Sequence, residues 1–88
     1  MKKVKIDVTN IHTVGALHVY LAYMLDLPAH YGRNLDALHD CLSTESEETR
    51  ILLMGKACSD EMRAYLPRLE QVLGDCAEDN EKIIFEKV

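Results

Sequence analysis

Three short apolar stretches separated by long helical intervals constrain this chain more than any other feature. Val4, Ile6 and Val8 alternate with Lys5 and Asp7, the period of a strand with one buried face. Ile51-Leu52-Leu53-Met54 is a continuous apolar run bounded by Gly55, the pattern of a strand covered on both faces. Ile83-Ile84-Phe85 follows a turn at Asp79-Asn80 and reads as a last strand. The first interval opens at a cap, Asn10 or Thr13, and carries Val14, Leu17, Leu21, Met24 and Leu25 at helical spacing until Asp26-Leu27-Pro28 ends it. A second helix follows from Asn34. The interval after Gly55 starts at Ser59-Asp60-Glu61, with Met62, Tyr65 and Leu66 on one side. Proline is disfavoured inside a helix but welcome in a first turn. Pro67 therefore predicts two helices there, one near 59–65 and one over 67–77 carrying Leu69, Val72, Leu73 and Cys76. Strands separated by helical crossovers pair in parallel. The expected fold is α/β, a small three-stranded parallel sheet packed by about four helices, in a single domain spanning residues 1–88.

At 48% hydrophobic residues the chain can bury a core, although 88 residues keep it small. No apolar run approaches the roughly 20 residues of a membrane span. MKKVKIDV has no apolar stretch behind its lysines, so it does not read as a signal peptide, and the expected location is the cytoplasm. Cys41, Cys58 and Cys76 are odd in number with no close-spaced pair, and they read as reduced thiols in apolar or helical settings. No nucleotide-binding glycine pattern is present, and no cofactor is expected.

Charge is informative by its position. Residues 34–49 hold five acids and no Lys or Arg, while the rest of the chain balances at ten acids and ten bases. The net charge of −5 therefore resides in one segment. Nucleic acid and anionic membranes need a basic footprint, so neither is an expected partner. A basic protein would be steered towards such a segment.

Within it, Asn34 is a good helix cap and Asp36 falls in the first turn, where the helix dipole favours an acid. At roughly 100° per residue, Leu35, Ala37, Leu38, Cys41 and Leu42 take one half of the helix. Asp36, His39, Asp40 and Ser43 take a compact arc on the other. Like charges four residues apart cost a helix about 0.2–0.5 kcal/mol, and no Lys or Arg four residues away relieves Asp36 or Asp40. Two carboxylates beside a histidine could serve acid–base chemistry, but catalysis needs concavity and burial that a convex exposed helix lacks. The chain is therefore not expected to be an enzyme. His39 and Cys41 point to different helix faces, and His12, His18 and His30 make no ligand spacing, so no metal site is expected. His18 reads as a core-edge residue. Gly32 reads as a source of backbone freedom in the loop before the helix, and Tyr31 beside it as an exposed aromatic.

The stretch YGRNLDALHDCL, Tyr31 to Leu42, resembles the barstar family signature Tyr-Gly-x-Asn-Leu-Asp-Ala-Leu-x-Asp-Cys-Leu. Leu27-Pro28 precedes it at the matching distance, and Leu17-His18 lies in the matching first helix. The similarity is strong over about residues 15–42. The resemblance implies an intracellular inhibitor of small basic ribonucleases that places an acidic helix and the loop before it into the enzyme's active site. Asp40 would be the main anchor in the site of a substrate phosphate, and Asp36 would meet neighbouring basic groups. Asn34, Gly32, Tyr31 and Leu35 would make the contacts around the helix start. His30 and His39 stand where the prototype has a Tyr and a Trp contact, and Asp75 aligns with an acidic contact on the last helix. This chain departs from the pattern at His39, in a more acidic turn over Ser43–Glu48, and in a slightly shorter segment before the last helix. The expected function is thus inhibition of a small basic ribonuclease by a protein that is a monomer when free. The alternative is a module of the same fold binding another basic toxin or regulatory protein.

Overall fold

The computed structural model describes all residues, 1–88. Strand β1 (Lys2–Asp7) leads through helices α1 (Val14–Met24) and α2 (Leu35–Ser43) to β2 (Thr49–Met54), and helix α3 (Asp60–Asp79) leads to β3 (Ile83–Lys87). The sheet order is β1-β2-β3 and both pairings are parallel, with Val4 opposite Ile51 and Ile51 opposite Phe85. The expected α/β fold with its parallel sheet is present, with three helices rather than about four.

The difference in helix number lies at Pro67. The chain does not break there: α3 runs unbroken past it for 20 residues. A proline inside a helix removes a backbone hydrogen bond and costs about 3 kcal/mol. Against that, Met62, Leu69, Leu73 and Cys76 form a single stripe across both halves of α3 and are all fully buried. Burying one such aliphatic side chain contributes about 1.5–3 kcal/mol, so the stripe outweighs the proline. The Pro67 ring itself lies on the exposed side.

A second difference concerns β2. Thr49, Ile51 and Leu53 are buried, but Arg50, Leu52 and Met54 are only half-buried. Their neighbours on that face are charged or exposed: Leu52 lies between Lys5 and Glu86, and Met54 beside Asp7. The helices therefore cover one face of the sheet, and the central strand is shielded on the other only by adjacent side chains. The core between sheet and helices is built from Val4, Ile6, Ile51 and Ile83 against Leu17, Leu21, Leu38 and Leu69.

Each helix begins at a hydroxyl or amide cap. Thr13 accepts from the Ala16 N–H at 3.1 Å, and Ser59 from the Met62 N–H at 3.1 Å. The free edge of β1 is also occupied. The Tyr20 hydroxyl on α1 accepts from the Asp7 N–H at 3.1 Å and points at the Lys5 carbonyl, which blocks further strand pairing there. No helix is long and apolar enough to cross a membrane.

Candidate binding face on helix α2

The start of α2 is held from inside the protein. Asn34 caps it, accepting the Ala37 N–H at 2.7 Å, and its amide donates to the Gly32 carbonyl at 3.3 Å. The Tyr31 hydroxyl donates to the Asn34 carbonyl at 3.4 Å. Behind it sits His18 of α1, with Nδ1 at 2.6 Å from the Tyr31 hydroxyl and Nε2 at 2.8 Å from the Tyr65 hydroxyl of α3. A neutral imidazole has one donor and one acceptor. With the proton on Nδ1, the ring donates to Tyr31 and accepts from Tyr65, and every group in the chain is satisfied. Burial lowers the His18 pKa and so favours that neutral ring. Burial also raises the Tyr31 and Tyr65 hydroxyls, keeping both protonated as donors. Two helices distant in sequence, α1 and α3, thus hold one loop.

This network corrects the expectation for Tyr31, which is 7% exposed and faces the core rather than solvent. His18 is likewise fully buried rather than at the core edge. Gly32 is not in the left-handed region. Its lack of a side chain matters because a Cβ there would lie 3.1 Å from Ala37 Cβ. The left-handed residue is Arg33, at φ 57°, an exposed cation next to the acidic helix.

On α2 itself, Leu38 and Leu42 are buried, and Asp36 and Asp40 are exposed. Neither Asp36 nor Asp40 makes an ion pair. They open to opposite flanks of the helix. Asp40 and His30 line a hollow of about 290 Å³ together with Asp26 and Glu45. Asp36 and Leu35 line another with Arg68 and Gln71 of α3. Gln71 in turn donates to the Asp75 carboxylate at 3.0 Å, so Asp75 lies one side chain beyond Asp36. Gly32 and Asn34 are exposed at the head of the helix.

His39 has a partner that sequence reasoning missed. Its Nε2 lies 3.0 Å from the Asp79 carboxylate of α3, and the Ser43 hydroxyl lies 3.3 Å from Nδ1. The residue after Asp79 completes the junction: Asn80 donates to the Leu42 and Glu45 carbonyls, each at 2.9 Å, and so ties down the end of α2. The register between α2 and α3 is a tertiary property, and nothing local marks Asp79 or Asn80 as more than a turn.

The cysteines are all free thiols. Burial, then the Asp40 charge, raises Cys41, and burial, then Asp79 and Asp75, pushes Cys76 up to about 11. Cys58 differs in being exposed, with Sγ 3.1 Å from the Ile11 carbonyl and 3.6 Å from His12 Nδ1.

Helix α2 thus displays Asp36 and Asp40 to solvent with neither in an ion pair. Sequence comparison places this α/β domain in a family of inhibitors. The model of the family described as barstar (barnase inhibitor) matches residues 1–86, and the chain belongs to that family. It is also similar to a Bacillus subtilis (strain 168) protein named "Putative ribonuclease inhibitor YrdF", at 49% identity over 43 residues. That match spans 49% of this chain and 47% of the relative, about half of each. The family is one of inhibitors, not enzymes.

Proposed function

We propose that this protein inhibits a small basic ribonuclease by occupying its active site with α2 and the loop that precedes it. The observation that carries this reading is the pair Asp36 and Asp40, exposed on one helix with neither in an ion pair. In a complex, Asp40 takes the place of a substrate phosphate, and the hollow it shares with His30, Asp26 and Glu45 receives an Arg or Lys of the enzyme. Asp36 and Asp75 meet basic groups on the α3 flank. Gly32 and Asn34 contact the enzyme through the loop backbone and cap, and Leu35 through its half-exposed side. Tyr31 contributes from behind, by holding the loop in the conformation that binds, which lowers the entropic cost of association. The protein acts in the cytoplasm, as a monomer when free and without a cofactor.

The test is to titrate a small secreted basic ribonuclease with the protein while following RNA cleavage and heat of binding. Stoichiometric loss of cleavage is expected. A second reading, a domain of the same fold that binds another basic protein, is favoured by one feature. On α2, between the acids, stands a hydrogen-bonded His39–Asp79 contact rather than an apolar aromatic. Heat of binding to a different basic protein, with ribonuclease activity untouched, would select it.

A further inference from the structure

All strands run parallel, so their carboxyl ends lie together at one end of the sheet. The loops leaving those ends surround the largest cavity of the molecule, about 660 Å³ and open to solvent. Its floor is apolar, with Val8 and Leu53 from the strands and Leu66 from α3. Its rim carries the cations Lys56, Arg63 and Lys87 and the acid Glu70. Lys87 Nζ lies 2.8 Å from Glu70 Oε1, and Arg63 pairs with Asp60, whereas Lys56 makes no ion pair. Lys56 is thus the rim cation left without a carboxylate partner.

The loop that puts Lys56 there has a demanding course. Gly55 sits at φ 92°, and a Cβ on it would lie 2.4 Å from Thr9 Oγ1 and 2.7 Å from Asp7 Oδ1. Only glycine lets β2 leave the sheet along this path.

We propose that this cavity is a second binding site, separate from the α2 face, for a small organic anion with an apolar body, of the medium-chain carboxylate type. The carboxylate meets Lys56 and draws on Lys87. The hydrocarbon covers Val8, Leu53 and Leu66, where leaving water is favourable. Carboxyl ends of parallel strands commonly hold ligands, because the strands fix the frame while the loops supply the contacts. None of the residues proposed for the α2 face lines the cavity, so the outcome is independent of ribonuclease inhibition.

The experiment is a titration of isotope-labelled full-length protein, followed by amide chemical shifts, with sodium octanoate, octanol and sodium sulfate in parallel. Octanoate is expected to give saturable shifts confined to Gly55, Lys56, Ala57, Leu66 and Lys87. Octanol and sulfate, each lacking one half of the ligand chemistry, are expected to bind at least tenfold more weakly. Lys56→Glu is expected to weaken octanoate at least tenfold while leaving the α2 amides unshifted. Lys87→Gln, whose lysine is already paired with Glu70, is expected to weaken it by a smaller factor. Equal binding of octanol would overturn the proposal, as would shifts that do not saturate or an octanoate affinity unchanged by Lys56→Glu.

Discussion

The acids of this protein fall into two populations with the same chemistry and different surroundings. Around the sheet and the first half of α3, Glu86 meets Arg50 at 2.6 Å, Glu70 meets Lys87 at 2.8 Å, and Asp60 meets Arg63. On and beside α2, Asp26, Asp36, Asp40 and Glu45 meet no Lys or Arg. All three Lys/Arg–carboxylate pairs therefore lie away from α2, although Asp7, Glu61, Glu78 and Glu81 elsewhere also go without one. The α2 face holds none of these pairs and is firmly held: a buried His–Tyr network holds its loop, and Asn80 holds its far end. A preorganised surface whose charges lack partners is suited to receiving them from another protein.

The largest expected effect separates the two populations directly. Asp40→Ala leaves a cation of the enzyme buried and unpaired, so it is expected to cost about 3–5 kcal/mol of binding. Folding stability should change by no more than about 0.5 kcal/mol, because Asp40 is exposed. Glu86→Ala should do the reverse on a smaller scale, costing about 0.2–1 kcal/mol of stability and no binding. Calorimetric titration with the ribonuclease and chemical unfolding of both variants check this. Equal binding losses would erase the distinction.

The next effect concerns what holds the open face in place. His18→Leu deletes both ring hydrogen bonds, strands the half-buried Tyr65 hydroxyl and leaves Tyr31 only its Asn34 partner, so about 1–3 kcal/mol of stability should be lost. The wild type should also show the pH signature of this ring. Because the folded-state pKa of His18 is lowered, the unfolded chain binds more proton between that value and about 6.5. The contribution is fully present above about pH 6.5 and is lost as pH falls towards the folded value. Denaturant midpoints across that window should decline in the wild type more steeply than in His18→Leu.

These two effects also mark where the sequence was legible. The strands could be read from period-2 alternation and short apolar runs, and α2 from its Asn34 cap and its split between Leu38-Leu42 and Asp36-Asp40. These are local properties. Pro67 misled because its local cost is real but smaller than the burial of Leu69, Leu73 and Cys76 beyond it. Leu52 and Met54 suggested a doubly covered strand because an apolar run does not say how many faces the helices reach. Tyr31 was misplaced for a different reason. Its direction is set by His18 and, through it, by Tyr65, contacts that no spacing in the loop encodes. Asp79 was missed likewise, since its role exists only where α3 lies against α2.

A smaller effect is expected from Arg33, the exposed cation in the loop before the acidic helix. Arg33→Asn keeps a residue that tolerates positive φ and removes the charge, so association with a basic enzyme should accelerate roughly two- to fivefold at low salt. Stopped-flow rates at two ionic strengths check this, and an unchanged rate would place Arg33 outside the field that the partner feels. The smallest effect is on the free protein. Asp40→Asn removes one member of the repulsive pair, and a thermal melt should show a gain of about 0.2–0.5 kcal/mol. A loss would mean that the carboxylate has a stabilising role in the monomer.

The central claim is that the unpaired acids of α2 take the place of substrate phosphate. Competition tests it most directly: the apparent Kd for the ribonuclease is measured at rising concentrations of a nucleoside monophosphate that fills the enzyme's phosphate site. The expected result is an apparent Kd that rises linearly with nucleotide for the wild type, with Asp40→Ala losing both affinity and nucleotide sensitivity. Tight binding that the nucleotide leaves unchanged would contradict the claim.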